Sequence, residues 1–407
     1  MKAEVKFLKN GIPVLMNHMD SINTVSLGIF VKTGTKNELP GEEGISHFLE
    51  HMLFKGTTTR SAKEISEEID NEGANINAYT SRETTVYYVQ MLSSKIGKGI
   101  EILSDMVLNS TFTKENLDKE RNVIIEEIRM YEDIPEEIIH EENIRLTIDG
   151  PQGKNILGTE ESLNKIDREV LVKYFKETYI PENIVISIAG NLDEEKIFKQ
   201  LDETLGTLES TNKVREFNEK MKINNSKNII SQPANQVHVC INTLGTSVTD
   251  QDRYAAAIIS NVLGGNMSSR LFQKIREERG LAYSVYSYSS SFEEGGLFTV
   301  YAGTTKKDYL NVIEMVKEEF ENIKEHGITE YELQKSKNQF LSGFTFALET
   351  SKGMMNRMAN SYMSFNKIIS IDESIREIES LKLEDIKRTA EKLFDDEYYS
   401  YTILGNI

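Results

Sequence analysis

The stretch GISHFLEHMLFKGT (residues 44–57) holds two of the six histidines in this chain. His47 and His51 are four residues apart, and Glu50 directly precedes the second histidine. Residues four apart on an α-helix lie on neighbouring turns of one face. Two imidazoles placed in this way can bind one metal ion, each with a nitrogen roughly 2.0–2.1 Å from zinc. The stretch therefore predicts a short helix that carries two metal ligands.

The apolar residues of the same stretch also have helical spacing. They fall within about 100° of each other around the helix axis and define a core-facing stripe: Ile45, Phe48, Leu49 and Met52. His47, Glu50 and His51 fall on the opposite arc, so we expect them to point away from that stripe. Glu50 lies between the histidines in angle and can reach a water on the ion without being a ligand. This is the arrangement of a general base in a hydrolytic site, with the usual HExxH order reversed.

A catalytic zinc site needs a third protein ligand besides the two histidines. No HxxH or CxxC motif lies nearby, but LDKERNVIIEEIRMYEDIPEE (117–137) offers Glu120, Glu126 and Glu127. Glu127 shares a helical stripe with Ile124 and Glu120, and a carboxylate on a packed stripe is costly unless it is paired or metal-bound. We take Glu127 as the third ligand and Glu120 as its hydrogen-bonding neighbour. Spacing alone leaves open that these glutamates form a solvated acidic face.

The composition indicates a folded protein with few candidate partners. The chain has 407 residues, of which 39% are hydrophobic, and a length near 400 suggests two domains. Its net charge of −18 repels nucleic acid and anionic membranes, so we expect neither as a partner.

The cysteine content and the amino terminus bear on the compartment. Cys240 is the only cysteine, which excludes a disulfide within the chain and fits a reducing compartment. We interpret it as a buried hydrophobic residue rather than a catalytic thiol. The first 19 residues lack the continuous apolar region of a secretory signal, and no apolar run approaches the 18 or so residues of a membrane span. We therefore expect a cytoplasmic protein.

Hydrophobic periodicity predicts both strands and helices in each half of the chain. In the first half we expect a hairpin around Asn10-Gly11. The other strands expected there are 24–34, 75–92 and 183–191, and the helices are 61–73, 94–109 and 114–145. In the second half we expect strands at 236–246 and 400–406, a strand pair in AYSVYSYSS and GGLFTVYAG, and helices at 252–265, 306–325 and 330–363.

The second half repeats the first in the order of these elements. QVHVCINTLGT (236–246) corresponds to TVSLGIFVKTGT, and DRYAAAIISNVLGG (252–265) takes the place of the histidine helix. The endings IVISIAGN and SYTILGN also match. Two unrelated α+β domains that both end on a strand are the alternative, but the agreement in element order favours a true repeat.

The expected fold is α+β, with two homologous domains, each a mostly antiparallel sheet with helices packed on one face. We place the zinc-bearing domain at 1–208 and the domain without zinc at 229–407. The polar segment 209–228 lacks clear periodicity and is interpreted as a linker.

Three separated blocks, HFLEH with FKGT, NAYTSRETTVYY and ERNVIIEEI, agree in order and spacing with a known family. Over nearly its whole length the chain resembles the pitrilysin and mitochondrial-processing-peptidase family of inverted-motif (HxxEH) zinc peptidases, and in particular its bacterial single-module members. The resemblance implies that His47, His51 and Glu127 hold one zinc ion per chain and that Glu50 is the general base. The other acidic residue of the family's helix corresponds to Glu120.

The resemblance also implies residues that contact the substrate. Asn77 and the backbone of Ala78 match a strand that lies along the substrate, so a bound peptide is expected to extend the sheet at its edge. IREERGLAYSVYSY (275–288) places Arg276 and Tyr283 where the family's second half reaches the scissile bond, Tyr283 to stabilise the oxyanion and Arg276 to hold the peptide. From the residues alone, these two would be a surface arginine and a core tyrosine.

The expected function is therefore that of a zinc endopeptidase. Family chambers need four such domains and this chain has two, so we expect a homodimer, or a heterodimer with a related subunit, that encloses peptide substrates. The net charge of −18 suggests a bias toward basic peptides. A non-catalytic peptide-binding or scaffold subunit is the alternative, although the ligand positions are intact. A structural zinc module usually uses four Cys or His ligands, and the single cysteine argues against it.

Overall fold

The computed structural model of this chain describes residues 3–210, 215 and 220–407. The strands in chain order are β1 (Glu4–Phe7), β2 (Pro13–His18), β3 (Thr24–Val31), β4 (Asn75–Thr80), β5 (Thr85–Leu92), β6 (Ile148–Asp149), β7 (Ile184–Gly190), β8 (Lys222–Ile223), β9 (Lys227–Ser231), β10 (Val237–Gly245), β11 (Ala282–Ser291), β12 (Gly296–Thr304) and β13 (Ser400–Gly405). The helices are α1 (Ile45–Leu53), α2 (Ala62–Asn71), α3 (Ile96–Asn109), α4 (Lys114–Glu132), α5 (Pro135–Thr147), α6 (Glu160–Lys165), α7 (Arg168–Thr178), α8 (Glu194–Glu203), α9 (Arg253–Gly264), α10 (Tyr309–His326), α11 (Glu330–Leu348), α12 (Ser351–Phe365), α13 (Ile371–Ser380) and α14 (Leu383–Leu393).

The first sheet has the strand order β1-β2-β7-β3-β5-β4. Strand β2 runs parallel to β7, and the other neighbours are antiparallel. The predicted hairpin joins β1 to β2, and Gly11 provides the positive φ of its turn (+89°). The central strands β3 and β7 are buried along almost their whole length, as expected for strands covered on both faces.

The second sheet repeats this topology with five strands and no counterpart of β1. Its order is β11-β12-β10-β13-β9, in which β10 pairs antiparallel with β12 and β13, and β13 runs parallel to β9. Gly190 and Gly405 end the corresponding strands β7 and β13, and both have positive φ angles (139° and 154°). The predicted α+β fold with two homologous sheets is confirmed, because the same pairing pattern occurs twice.

The chain divides into two compact units, each built from three segments. The first comprises 1–128, 154–218 and 345–369, and the second comprises 129–153, 219–344 and 370–407. Each unit thus includes one helical segment from the other half of the sequence. The division into 1–208 and 229–407 stays a prediction about the sequence repeat.

The predicted linker, 209–228, lies only in part within the described residues, since 211–214 and 216–219 are outside them. In the described part, Arg215 forms ion pairs with Glu42 (2.6 Å) and Glu177 (2.8 Å). Strand β8 and the first two residues of β9 lie in the rest, and β8 pairs with β6.

Three elements that periodicity predicts as continuous are broken in the structure. The predicted strand 75–92 is a hairpin, because Ser81 and Thr84 close a turn in which the Thr84 N–H donates to Ser81 Oγ (3.0 Å). The predicted helix 114–145 divides into α4 and α5 just before Pro135, which cannot continue a helix begun upstream. The predicted helix 330–363 divides at Thr350, whose hydroxyl caps α12.

Helix α12 packs on the face of the first sheet that the prediction left without a helix. Residues alternate between the two faces of a strand. Leu27 belongs to the core beneath α3, whereas Ser26 Oγ lies 2.9 Å from Ser351 Oγ of α12. Ser187 Oγ donates to the carbonyl of Met355 (2.8 Å). Both faces of β3 and β7 are therefore covered, which explains why these strands are buried along almost their whole length.

Among the described residues, no helix combines the length and the low charge that crossing a lipid bilayer requires. Surface helices of the first unit are amphipathic, with an apolar face toward the core and a polar face outward. Helix α2 shows this pattern, since only Ile65 and Ile69 of its ten residues are buried.

Gly28 allows α12 to approach β3, and this generates a stability prediction. A Cβ at Gly28 would lie 2.6 Å from the Phe30 ring and 3.1 Å from Met355 Sδ. We expect Gly28→Ala to lower the free energy of unfolding by about 1–3 kcal/mol through overpacking. Gly343→Ala is the matched control, because a Cβ there meets no atom within 4 Å and α11 gains helix propensity. Chemical denaturation of both variants measures the effect, and equal stabilities would contradict this packing.

Candidate metal centre

Helix α1 is fixed at its start by a buried carboxylate. Glu38, which is 1% exposed, accepts hydrogen bonds from the backbone N–H groups of Gly44 (3.0 Å) and Ser46 (2.9 Å). These N–H groups have no partner within the helix, so Glu38 satisfies them from outside. Gly44 itself has a φ of +87°, and a Cβ there would lie 2.6 Å from the carbonyl oxygen of Leu157. Only glycine fits this entry to the helix.

The apolar stripe of α1 packs into the first core as predicted. Opposite the stripe, His47 is 7% exposed and Glu50 is 9% exposed. The polar side chains thus point away from the core stripe, but other elements of the same unit cover them. A buried arc with two imidazoles and a carboxylate is costly unless these groups bind each other or a ligand.

Helix α4 supplies the third member of the group. His47 Nε2 lies 3.8 Å and His51 Nε2 lies 3.6 Å from Glu127 Oε2. The donor atoms of these three side chains all lie within 4.8 Å of one another, and this is the only such His, Cys, Asp or Glu group within the described residues. The structure therefore brings together the three ligands that the sequence predicts, and it leaves Glu126 exposed on the other side of α4.

The spacing of the three donor atoms fits a metal ion. At 3.6 and 3.8 Å the histidine and glutamate atoms are too far apart for hydrogen bonds. Tetrahedral ligands at zinc distances would be about 3.3 Å apart, so a small closure suffices. The buried Nδ1 of His47 has no hydrogen-bond partner among the described residues, so no hydrogen bond to that atom fixes the imidazole.

Glu120 orients His51. Its Oε1 accepts from His51 Nδ1 (2.9 Å), which leaves Nε2 facing Glu127. Its Oε2 pairs with Lys55 Nζ (2.7 Å). Burial raises the pKa of Glu120, but the bonds from His51 and Lys55 outweigh it, so that its pKa is lowered. A charged carboxylate behind a histidine ligand fixes the tautomer and increases the basicity of the imidazole.

The two histidines have opposite electrostatic surroundings. Burial, and then the charge of His51, lowers the pKa of His47 to about 3. Burial also acts to lower the pKa of His51, but the hydrogen bond to Glu120 and the nearby carboxylates raise it overall. His47 is therefore held as a neutral imidazole, the form that binds metal.

Glu50 is held beside the group by β4. Thr80 Oγ1 donates to Glu50 Oε2 (2.6 Å). Burial raises the pKa of Glu50, with the Thr80 bond and His51 acting against it. Burial likewise raises the pKa of Glu127. Glu50 is close to the metal group but outside it, as a proton-transfer group must be.

Strand β4 is an edge strand of the first sheet and contains Asn77 and Ala78. The N–H of Ala78 donates to the side chain of its neighbour, Asn77 Oδ1, at 2.8 Å. This N–H is thus satisfied by a side chain, which a peptide pairing with Ala78 along the edge would have to displace.

Arg276 and Tyr283 lie together in the second unit. The guanidinium carbon of Arg276 is 5.0 Å from the centre of the Tyr283 ring and 4.7 Å from that of Phe272. Tyr283 is 73% exposed and is not a core residue. Arg276 belongs to a π-helical turn, Phe272–Glu277, a feature frequent at functional sites. The contribution of both residues to a reaction stays a prediction.

Cys240 is completely buried, and burial raises the pKa of its thiol. This agrees with a packing role. It lies in β10 beside His140, whose Nδ1 is 3.9 Å from Cys240 Sγ.

Three residues that position the site were missed in the sequence. Lys55 follows His51 by four residues, so helical spacing could have placed it beside Glu120. Thr80 lies in the NAYTSRE block, but nothing in its spacing shows that it contacts Glu50. Glu38 lies in an irregular segment before α1, and its role depends on chain folding that periodicity does not predict.

Comparison with family models gives two matches. Residues 13–160 match the model described as Insulinase (Peptidase family M16), and residues 165–340 match the model described as Peptidase M16 inactive domain. The first match includes the whole metal group.

Curated relatives extend over the whole chain. A Bacillus subtilis protein named as the uncharacterized zinc protease YmxG is 38% identical over 96% of this chain and 95% of its own. An uncharacterized zinc protease of Rickettsia bellii is 37% identical over 99% of this chain and 97% of its own.

Solved structures show the same fold. A protease from Helicobacter pylori matches with a TM-score of 0.92 and 21% identity over 99% of each chain. A Pseudomonas fluorescens structure described as a peptidase M16 inactive domain matches with a TM-score of 0.93 and 18% identity, over 100% of this chain and 98% of that one.

The contact between Glu120 and His51 predicts metal affinity. Glu120→Gln keeps the shape but removes the charge behind His51, so we expect zinc to bind about 10–100-fold more weakly. Glu126→Gln makes the same change at an exposed position of α4 and is the control. Zinc affinity is measured by competition with a chromophoric chelator. Equal affinities for the two variants would show that Glu120 does not support the ligand.

Glu38 predicts a pH dependence of stability. Burial raises its pKa to about 8 against the opposing N–H donors, whereas an unfolded glutamate titrates near 4.3. Between these values the folded chain holds a proton that the unfolded chain releases. The stability that Glu38 contributes is therefore complete below about pH 4.3 and is lost as the pH rises to 8.

Glu38→Gln removes this titration. We expect the stability of the variant relative to wild type to increase by about 1–5 kcal/mol between pH 5 and pH 8, as measured by urea unfolding. Glu67→Gln, at an exposed position of α2, is the control. A difference between Glu38→Gln and wild type that does not change with pH would contradict the assignment.

Proposed function

Because this chain belongs to peptidase family M16, we propose that it is a zinc-dependent endopeptidase that hydrolyses peptides or unfolded segments. The observation that carries the proposal is the group formed by His47, His51 and Glu127, with Glu50 beside it but not part of it. Two imidazoles and one carboxylate, with a further position for water, are the ligand set of hydrolytic zinc sites.

Zinc bound by these three side chains supplies Lewis acidity, which polarises the peptide carbonyl and lowers the pKa of a water to about 7. Proton transfer is carried out by the chain's own residues. Glu50 accepts a proton from the attacking water and donates it to the leaving amine. Its raised pKa suits this role, because the carboxyl must hold the proton between the two steps. Thr80 keeps one carboxylate oxygen in place.

Edge strand β4 supports extended peptides as substrates. A peptide that pairs with the backbone around Ala78 adds a strand to the sheet, and its main chain passes Thr80 and hence Glu50. Pairing through the main chain tolerates many side chains. It also requires an extended segment, which favours peptides and unfolded regions over folded proteins.

The roles of Arg276 and Tyr283 are part of the proposal. Tyr283 would donate to the oxyanion, and Arg276 would hold the peptide. Support comes from the exposure of the Tyr283 side chain and from its contact with Arg276, which restricts both side chains.

We further propose that two chains, either identical or related, enclose the substrate, and that the enzyme works in the cytoplasm. The support is the single cysteine and the presence of two homologous sheets per chain. Sedimentation velocity of the purified protein tests the assembly, and an active single chain would refute it.

The −18 charge supports a general bias toward basic peptides, which cleavage rates independent of peptide charge would contradict.

A non-catalytic scaffold subunit is the alternative, but the Pseudomonas fluorescens structure described as an inactive domain matches at 18% identity and bears on the fold alone. The match described as an inactive domain covers 165–340, whereas the metal group and Glu50 lie in the 13–160 match.

Glu50→Gln separates metal binding from catalysis. We expect the variant to bind zinc with unchanged stoichiometry and to lose about 10²–10⁴-fold in kcat, because the amide cannot accept the proton. The measurement is cleavage of a mixed peptide library followed by mass spectrometry, with zinc quantified in the same preparations. Removal of zinc by a chelator should abolish the wild-type activity, and added zinc should restore it.

Glu67→Gln provides the matched control, since it makes the same chemical change at an exposed position of the same unit. If Glu50→Gln cleaves peptides at the wild-type rate, Glu50 is not the general base. If zinc-loaded wild type cleaves nothing, the scaffold alternative replaces the proposal.

A further inference from the structure

Helix α1 begins from an entry segment, residues 38–43, that has no regular secondary structure. This segment satisfies the first N–H groups of the helix. The Glu38 carboxylate accepts from two of them, and the backbone carbonyl of Glu42 accepts from the N–H of Ile45 (2.9 Å). The position of the first turn of α1 therefore depends on the position of the entry segment.

Arg215, from the segment between the two repeats, fixes the entry segment. Its two terminal nitrogens donate to the two carboxylate oxygens of Glu42 (2.6 and 2.8 Å), and one of them also donates to the carbonyl of Asn37 (3.1 Å). A guanidinium bound through two hydrogen bonds fixes the orientation of the carboxylate as well as its position. Only 10% of the Arg215 side chain and 13% of the Glu42 side chain are exposed, so this contact is shielded from water.

Arg215 reaches the start of α1 by a second route, through α7. Its Nε donates to Glu177 (2.8 Å), and its guanidinium carbon lies 4.9 Å from the centre of the Tyr174 ring. Tyr174 is completely buried, and its hydroxyl lies 2.7 Å from Ser46 Oγ in the first turn of α1. Ser46 directly precedes the ligand His47.

His47 depends on these contacts more than His51 does. Glu120 orients the His51 ring through Nδ1, whereas Nδ1 of His47 has no hydrogen-bond partner among the described residues. Since no hydrogen bond to Nδ1 orients the His47 ring, its placement follows from the backbone of the first turn of α1 and from packing. Arg215 acts on this turn from both sides.

We infer that Arg215 is a positioning residue for His47 and prepares this ligand for the metal ion. The inference rests on the metal group of the proposed function and deepens it. Loss of the guanidinium leaves the shielded Glu42 carboxylate without its main partner, and the entry segment then rearranges. Such a rearrangement lowers the fraction of metal-free protein in which His47 faces His51 and Glu127, and the apparent affinity for metal falls with that fraction.

Zinc affinity of the full-length protein, measured by competition with a chromophoric chelator, tests the inference. We expect Arg215→Ala to bind zinc about tenfold more weakly than wild type. Arg215→Lys should lose less, because it keeps a cation beside Glu42 but cannot bind it through two nitrogens. At saturating zinc, kcat/KM should stay within about twofold of wild type, since zinc then holds the ligand.

Arg60→Ala is the matched control. Arg60 also forms ion pairs with three carboxylates of the same unit, but these lie on α2 and α3, which carry no ligand. We expect its zinc affinity to equal that of wild type. An unchanged affinity in Arg215→Ala, or an equal loss in Arg60→Ala, overturns the inference. If Arg215→Ala does not fold, Glu42→Gln replaces it, with an expected loss of about two- to fivefold.

NMR of histidine-labelled, zinc-free protein shows which ligand responds, with His47→Gln and His51→Gln used to assign the two ring signals. Arg215→Ala should shift or broaden the His47 signal and leave the His51 signal unchanged. An equal response of both signals indicates general loosening and overturns the inference. Wild type that binds zinc but cleaves no peptide refutes only the proposed function, whereas wild type that binds no zinc refutes both.

Discussion

The hydrogen bond between Glu120 and His51 connects the two helices on which the metal group depends. Helix α1 carries both histidines, and α4 carries both Glu120 and Glu127. Once Glu120 accepts from His51 Nδ1, the register between the helices is set and Glu127 faces the Nε2 atoms. Lys55 balances the charge of Glu120, so the pair can be buried without an isolated anion. Glu38 at the start of α1 and Thr80 on β4 then fix the remaining freedom of the helix and of Glu50.

Much of this centre was predictable because its information is local. The i,i+4 histidines, the apolar stripe opposite them and the seven-residue spacing of Glu120 and Glu127 all follow from one helical period. Spacing left open whether Glu120 and Glu127 form a solvated acidic face, and packing argues against it: Ile124 on the same stripe is completely buried and Glu120 is 5% exposed. The repeat was also predictable, because two sheets with one topology need the same order of strands.

The parts that could not be predicted depend on distant segments or on local breaks. The separation of β4 from β5 rests on a side-chain turn at Ser81, and without it β4 would not be an edge strand. Lys352 of α12 donates to the hydroxyl of Tyr88 in β5, a contact between residues 264 positions apart. No periodicity in either segment shows that α12 lies on β3 and β7, since an amphipathic helix does not identify the sheet that it covers.

The second repeat shows which features of the first repeat the fold requires and which it does not. Helix α9 occupies the position of α1 and buries a full apolar stripe, with Ala255, Ile259 and Val262 each at most 1% exposed, but it has no histidine. The sheet topology is unchanged without the ligands. Apolar burial is therefore sufficient for this architecture, in contrast to small zinc domains that fold only with metal. The buried imidazoles and carboxylates of the first repeat carry a desolvation cost that the fold does not require, since the second repeat forms the corresponding sheet without them.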